Sequence, residues 1–584
     1  MPQVLRASLF WGLASLCLLV SRPGPGSPQA SAPGQPRPAP ADAPGSSQAK
    51  AATLSSAERT RAEPDPLSEA QSLYRKGDFD SALRNYQRVL QDQPKSGEAY
   101  AGLVRVCLKK KDVQKAFELA ERGRVVADSA AVRVALGEVY FRQGKIHEAE
   151  NEWVDLINSG HREARAYLGL AHVRFALSMY KTGRKMIDTA YELDPTDPEI
   201  RKVWAGTQNR AERIKFLDQY LAGENNEDAE TRAALQHELE FLKARAQDSR
   251  GACHLVNKIT TTDTELVYLP TDRSRLRGFG LVVTVNGEKS RLLLDTGAGG
   301  IIINRNLAEK AGVTRISELE VAGIGDQGNM SGYRGLAKSL GIGELEFQDC
   351  TVQVLDQRSV TGEDGLIGAD VFSAFLVDLD FPKETLRLRE LPKRPEEITS
   401  SIALHTGNET DTKTEEPADK TAATNPAPSA ASHPGHQDRY IAPEMKSFTK
   451  IYRFGHSLLV PTFVGDNDMP ARLFMLDTGA FDNLITPDAA SEVTKVRGDY
   501  GTRIKGLGGS VRKVYRADKA VLKFGRLQQH NQDLVAVNLT HVSDRLGTEV
   551  SGMLGFTMLR LLDIKIDYRD GLVDFSYDPK RFGR

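Results

Sequence analysis

Two stretches of this 584-residue chain carry an apolar run into the same four residues. Leu292-Leu293-Leu294 leads into Asp295-Thr296-Gly297-Ala298, and Phe474-Met475-Leu476 leads into Asp477-Thr478-Gly479-Ala480, 182 residues later. Short apolar runs of this kind read as buried strands, so each aspartate stands where a buried strand ends. Two carboxylates brought to one site cannot both carry charge, and one keeps a proton while the other is ionised. Such a pair can take a proton from water and give one to a reacting group, with no metal and no nucleophilic side chain. Gly297 and Gly479 let the backbone approach the carboxylates and present N–H groups to them.

The two copies agree well beyond these four residues. Gly323 and Gly506 lie 28 and 29 residues past their aspartates, in Gly323-Ile324-Gly325 and Gly506-Leu507-Gly508. Tyr333 and Tyr515 each lie 38 residues past them and open "YRGLAKSLGIG" and "YRADKAVLKFG". Then "EDGLIGADVFSAFLVDLDF" (363–381) pairs with "VSGMLGFTMLRLLDIKIDY" (550–568). One Asp-Thr-Gly could arise by chance in a chain of this length, but four landmarks in one order indicate an internal duplication.

The elements that must position these residues are β-strands. Beyond Cys253 the chain alternates apolar and polar residues and is rich in β-branched side chains, as in "FGLVVTVNG" and "EFQDCTVQVL". This pattern indicates an all-β fold, with Asn286-Gly287 as a hairpin turn. Upstream the pattern is helical and repetitive: Ala82, Ala116, Ala149 and Gly183 recur at steps of 34, 33 and 34 residues. Each unit reads as two helices joined by a short turn, with a small residue where the pair packs closely. Pro94 and Pro195 fall where second helices must stop. The stretch 226–247 has helical spacing and caps or extends the array. Segments rich in Pro, Ala, Gly and Ser at 22–64, and a polar stretch at 393–446, cannot bury a core and read as linkers.

The 34-residue period resembles the tetratricopeptide family, with about four repeats over 66–200. Each β-rich block resembles one lobe of a retropepsin-like aspartic protease, through Asp-Thr-Gly-Ala, a Gly-rich flap and the turns Leu366-Ile367-Gly368 and Met553-Leu554-Gly555. This resemblance implies an all-α tetratricopeptide solenoid followed by two all-β protease lobes, each a closed or partly open barrel, paired as a pseudo-dimer. The segments are then 1–21 signal peptide or anchor, 22–64 linker, 65–250 helical repeats, 251–392 first lobe, 393–446 linker and 447–584 second lobe.

The resemblance makes Asp295 and Asp477 the catalytic pair of an aspartic endopeptidase. It has Thr296, Gly297, Thr478 and Gly479 support the catalytic loops, with the threonines bonding across the lobe interface. Gly323, Ile324, Gly325, Gly506, Leu507 and Gly508 become flap residues over an extended peptide; flaps on both lobes are similar to the retroviral arrangement. Tyr333 and Tyr515 read as packing residues, and Asp482 as a surface carboxylate before a substrate contact. Ala298 and Ala480 offer no hydroxyl to the carboxylates, so activity is expected to extend to mildly acidic or neutral pH. The implied partners are a polypeptide substrate and a protein or peptide in the tetratricopeptide groove; no cofactor or metal is required. An inactive peptide-binding scaffold and a self-processing precursor are the alternatives, and Asp-Thr-Gly kept in both lobes argues against the first.

A linker of about 50 residues has a root-mean-square span of about 35–45 Å, so the lobes can pair within one chain as well as between two. The 77 basic and 78 acidic residues balance, which argues against nucleic-acid binding. Cys17, Cys107, Cys253 and Cys350 are too dispersed for a disulfide framework, and buried free thiols are the preferred reading. The apolar run Ala7–Val20 after a single Arg resembles a secretory signal, which gives an exported protein, periplasmic or secreted, with an uncleaved membrane anchor as the second reading.

Overall fold

The 33–34-residue step resolves into helix pairs: Pro66–Lys76 with Phe79–Asp92, Gly97–Lys109 with Val113–Ala127, Ala130–Arg142 with Ile146–Asn158, and Ala164–Ala176 with Tyr180–Leu193. The helices begin where a short polar side chain can occupy free N–H groups. Asp65, Asp78, Ser96, Asp112 and Ser129 each accept from the backbone N–H three residues on. The recurring small residue is a packing requirement. A β-carbon on Gly183 would lie 2.6 Å from Phe175 Cδ1, and Trp153 fills the space between Gly137 and Gly169 so closely that a β-carbon on either would lie within 2.5 Å of the indole.

The array runs further than the repeat alignment predicts. A fifth pair, Pro198–Gly206 and Arg210–Ala222, is followed by the long helix Ala229–Ala246. The first helices of the five pairs share one ionic network: Arg165 meets Asp197 and Glu199 at 2.7 Å each, Lys109 meets Glu199 at 2.7 Å, and Arg105 meets Glu138 at 2.9 Å. Tyr74 and Arg75 of the first helix reach Glu199 and Asp194, tying the start of the array to its fifth pair.

The computed structural model describes residues 3–5, 65–247, 253–272, 275–321, 323–326, 328–357, 360, 362–395, 437–465 and 469–581. The expected signal segment (apart from residues 3–5), the linker 22–64 and residues 396–436 of the second linker lie outside them. Among the described residues no helix is long and apolar enough to cross a membrane.

Each β-rich block folds its strands into a ring with the same order of pairing. In the first lobe the ring passes through Leu345–Leu355, Ile301–Asn304, Gly365–Gly368, Glu288–Asp295, Arg275–Val285 and Met330–Ile342, which pairs again with Leu345–Leu355. In the second it passes through Leu527–Val537, Leu484–Ile485, Gly552–Gly555, Arg472–Asp477, Ser457–Val464 and Val514–Phe524, and closes in the same way. The hairpin turn at Asn286-Gly287 forms as expected, with both residues at positive φ (47° and 93°). A sheet of six strands joins the lobes, three from each, with Leu376–Asp380 antiparallel to Asp563–Asp567 at its centre.

That joining sheet carries a titratable cluster. Arg387 bonds both oxygens of Asp378 at 3.0 Å, lies 3.1 Å from Asp380 and donates to Asp563 at 3.3 Å, so one guanidinium serves three carboxylates. Burial, then Asp378, pushes the Asp563 pKa up to about 7. A carboxyl whose pKa is raised on folding contributes stability that is present below the unfolded value near 3.9 and lost as pH rises through the folded one. The melting temperature is therefore expected to fall as pH rises from about 5 to about 8, and Asp563→Asn to flatten that slope. Thermal unfolding of both proteins across this range checks it, and a slope unchanged in the variant refutes it.

The free-thiol reading fails at one pair. Cys253 and Cys350 form a disulfide, and Cys107 is free and buried. The strand His254–Leu255 pairs antiparallel with Gln348 and Phe347, which sets Cys253 beside Cys350 across a sequence separation of 97.

The helical array is docked on the second lobe by the turns within its helix pairs. Arg142 donates to the Ser543 carbonyl at 2.7 Å and pairs with Asp544, and Thr548 donates to the Phe141 carbonyl at 2.8 Å. Thr182 donates to both oxygens of Asp438, at 2.8 and 2.7 Å, in the described end of the expected linker, which packs on the second lobe through Arg439 and Tyr440 with Asp570. One apolar cluster continues from Ile146, Trp153 and Val173 of the array to Leu473, Met475 and Met553 of the lobe.

Candidate active site

Strand pairing places the two aspartates in equivalent positions. Glu288–Asp295 runs parallel to Gly365–Gly368 with Asp295 opposite Gly368, and Arg472–Asp477 runs parallel to Gly552–Gly555 with Asp477 opposite Gly555. At each strand end the chain turns sharply, and the turn bonds its own aspartate. Gly297 and Ala298 donate to Asp295 Oδ1 at 2.8 and 3.2 Å, and Gly479 and Ala480 donate to Asp477 Oδ1 at 2.9 Å each.

The two turns come from one chain and are locked to each other. Thr296 N–H donates to Thr478 Oγ1 and Thr478 N–H to Thr296 Oγ1, both at 3.0 Å. Each hydroxyl then donates across the boundary, Thr296 to the Leu476 carbonyl and Thr478 to the Leu294 carbonyl, both at 2.9 Å. Both threonines are buried, so these four bonds are made away from competing water.

The carboxylates face one another across this joint. A β-carbon on Gly297 would lie 2.8 Å from Asp477 Cγ, and one on Gly479 would lie 2.4 Å from Asp295 Cγ. Each glycine thus makes room for the opposite lobe's aspartate, a sharper reason than the N–H presentation that the sequence suggests. Burial, then the charge of Asp477, raises the Asp295 pKa well above the usual carboxylate range. Burial raises Asp477 as well, opposed by the N–H groups of Ala480 and Gly479 and by a hydrogen bond with Asp295. Two carboxyls so close affect each other's ionisation and titrate as a unit.

The flap segments also meet. Ile504–Gly506 and Gly509–Val511 form a hairpin whose tip reaches the first lobe's flap. Gly508 N–H donates to the Ile324 carbonyl at 2.9 Å, and Arg512 N–H to Asp326 Oδ2 at 2.7 Å. A β-carbon on Gly323 would lie 2.4 Å from Leu507 Cβ, and one on Gly506 2.3 Å from the Ile324 carbonyl oxygen, so the tips interlock only without side chains there. Tyr333 is buried beneath Arg315, and Asp482 is exposed and accepts from Thr557 Oγ1 at 3.0 Å.

Sequence reasoning missed a supporting pair behind the first loop. Asp370, two residues past Gly368, accepts from Gly300 N–H at 2.9 Å. His456, from the turn that opens Ser457–Val464 of the second lobe, packs on the same loop: a β-carbon on Gly299 would lie 2.6 Å from its Nδ1. Burial pushes the His456 pKa below the usual histidine value, opposed by Asp370. The repeated Gly-Ala-Asp and Gly-Phe-Thr positions after the two turns were the available signal for Asp370; none marks His456.

Comparison with known proteins agrees with this geometry. Residues 281–371 match the family model described as aspartyl protease, and residues 67–132 match that of a tetratricopeptide repeat. The UBA domain-containing protein Mud1 of Schizosaccharomyces pombe is 28% identical over 173 residues, covering 28% of this chain and 49% of that protein. The DNA damage-inducible protein 1 of Cryptococcus neoformans is 26% identical over 206 residues, covering 34% of this chain and 45% of that protein. The chain thus spans about half the length of the curated relatives it matches. Among solved structures, the aspartic proteinase of Irpex lacteus aligns with 56% of this chain and 99% of its own, at 13% identity and a TM-score of 0.31. A tetratricopeptide protein of Thermus thermophilus aligns with 29% of this chain and 95% of its own, at 24% identity and a TM-score of 0.24. The chain thus joins an array of helix pairs, part of which matches the tetratricopeptide-repeat model, to two β-rich lobes of like topology, the first of which matches the aspartyl protease model over 281–371.

Proposed function

We propose that this chain is an aspartic endopeptidase whose catalytic pair is Asp295 and Asp477. The observation that carries the reading is the facing of two carboxylates, Asp477 buried and Asp295 half-buried, each fixed by two N–H groups of its own turn. A water between them loses a proton to the ionised carboxylate as its oxygen attacks the peptide carbonyl carbon. The protonated carboxyl gives its proton to the carbonyl oxygen, forming a tetrahedral diol. Collapse of the diol breaks the C–N bond: the departing nitrogen takes up the proton held by the first carboxylate, and one diol hydroxyl returns its proton to the second as it becomes the product carbonyl, which restores the pair. Thr296, Gly297, Thr478 and Gly479 hold the geometry, and the interlocked flaps close over an extended polypeptide. In this reading the repeat array recruits a protein substrate or partner. The Cys253–Cys350 disulfide supports export, since such bonds persist in oxidising compartments.

The test is incubation of the purified chain with a diverse peptide library from about pH 3 to about pH 8, with and without a pepstatin-type inhibitor. The working form holds one proton, and raising both carboxyl pKa values moves its window upward. Cleavage is therefore expected to peak in mildly acidic to neutral solution and to vanish with inhibitor. Absence of cleavage across the range refutes the proposal, and activity confined below about pH 3 refutes the assigned direction of the shifts.

A further inference from the structure

We infer that the last helix of the repeat array, Ala229–Ala246, restrains the flap hairpin of the first lobe, with Arg334 as the positioning residue. The inference rests on the protease reading for its consequence, since a flap matters only if a chain must pass beneath it. Its structural content stands on separate contacts.

The flap of the first lobe projects from the antiparallel pair Thr314–Val321 and Met330–Ile342. The helix lies against Thr314–Val321. Arg334, on the second of these strands, donates to the His237 carbonyl at 3.2 Å, and its guanidinium lies 5.0 Å from the Phe241 ring centroid. Nearer the tip, Asn329 Nδ2 donates to Glu230 at 3.0 Å and to Glu320 at 3.2 Å. The helix thus holds the hairpin at its body and near its tip.

The same array is anchored on the opposite lobe through Arg142 with Asp544 and Thr182 with Asp438. Lys111 lies 3.9 Å from Asp228, which caps this helix, and 3.8 Å from Asp544. The helix is therefore a fixed point relative to the second lobe. Parting the flap tips requires the first hairpin to swing away from Gly508 and Ser510 of the second lobe, and so to strain or break its contacts with the helix. The array that recruits a partner also sets how readily the flaps separate, and a ligand that shifts the helix would change that readiness.

Hydrogen exchange on the full-length chain reads this without any substrate. Amides of 314–321 and 504–511 are expected to exchange about tenfold faster in Arg334→Ala and Phe241→Ala, with the joining sheet at 376–380 and 563–567 unchanged. Arg334→Lys should recover part of the protection, because an ammonium still reaches the carbonyl but stacks less well on the ring. In steady-state hydrolysis the same variants should raise KM severalfold with kcat kept, since closure over substrate is weakened while the dyad is intact. Glu230 is exposed, so Glu230→Ala tests the contact near the tip without risk to the core. Exchange at both flaps equal to that of the native chain in these variants overturns the inference, and Glu230→Ala alone decides it if the others do not fold. A native chain that cleaves nothing refutes the protease reading and leaves the exchange result standing, so the two failures are distinguishable.

Discussion

Asp295→Asn and Asp477→Asn are each expected to lower kcat by at least about 10³-fold while the chain remains folded. The size follows from the division of labour. One carboxylate must accept the water's proton and the other must donate to the carbonyl oxygen, and an amide can do neither. General acid and base steps are each worth about 10²–10⁴-fold, and the pair acts as a unit, so the double variant should be little worse than either single one. Folding should survive because asparagine keeps the shape of aspartate. The substitution also removes one of two ionisable groups that compete for a single site, and the melting temperature should match or exceed that of the native chain. Kinetics with a cleaved library peptide, beside thermal unfolding, check both halves. A variant that keeps native kcat shows that its aspartate is not part of the chemistry, and loss in one variant alone rules out a shared dyad.

What could be read from the sequence was what repeats or what chemistry constrains. The helical step was visible because Ala82, Ala116, Ala149 and Gly183 are buried at the same place in successive pairs. The duplication was visible because both copies need a strand, an aspartate, and a glycine facing the other aspartate. The fifth helix pair was hidden because the fourth residue of its second helix, where the other pairs carry Ala or Gly, is Arg213. The disulfide was hidden because Cys253 and Cys350 meet only through a strand pairing across 97 residues, and spacing carries no trace of that. His456 sits where the first copy has Arg277 once the strands are matched by register, Leu459 opposite Met475 and Gly280 opposite Leu293, so the duplication itself gives no hint of it. Nor could the docking of the array be read in advance. Arg142, Asp544, Thr182 and Asp438 are ordinary surface residue types until the fold sets them opposite one another.

Thr478→Val is expected to destabilise the chain by about 2–6 kcal/mol and to reduce kcat/KM with it. Valine keeps the volume of threonine and removes only the hydroxyl, so the change isolates the hydrogen bonds. The Thr478 hydroxyl accepts from Thr296 N–H and donates to the Leu294 carbonyl; its loss leaves two backbone groups buried without partners, at about 1–3 kcal/mol each. Against a total stability of about 5–15 kcal/mol this is a large share. Thr296→Val should act alike, since its bonds mirror these, with the carbonyl of Leu476 as the orphan. The double variant should cost about the sum, because each hydroxyl bonds only backbone groups that the other substitution leaves in place. Thr478→Ser restores the hydroxyl and should return most of both stability and activity, which a purely steric role would not produce. Urea denaturation and kcat/KM of the four variants provide the test. Equal midpoints for Thr478→Val and the native chain would mean that the crossed bonds do not hold the lobes together. The two aspartates would then owe their placement to the six-stranded joining sheet alone.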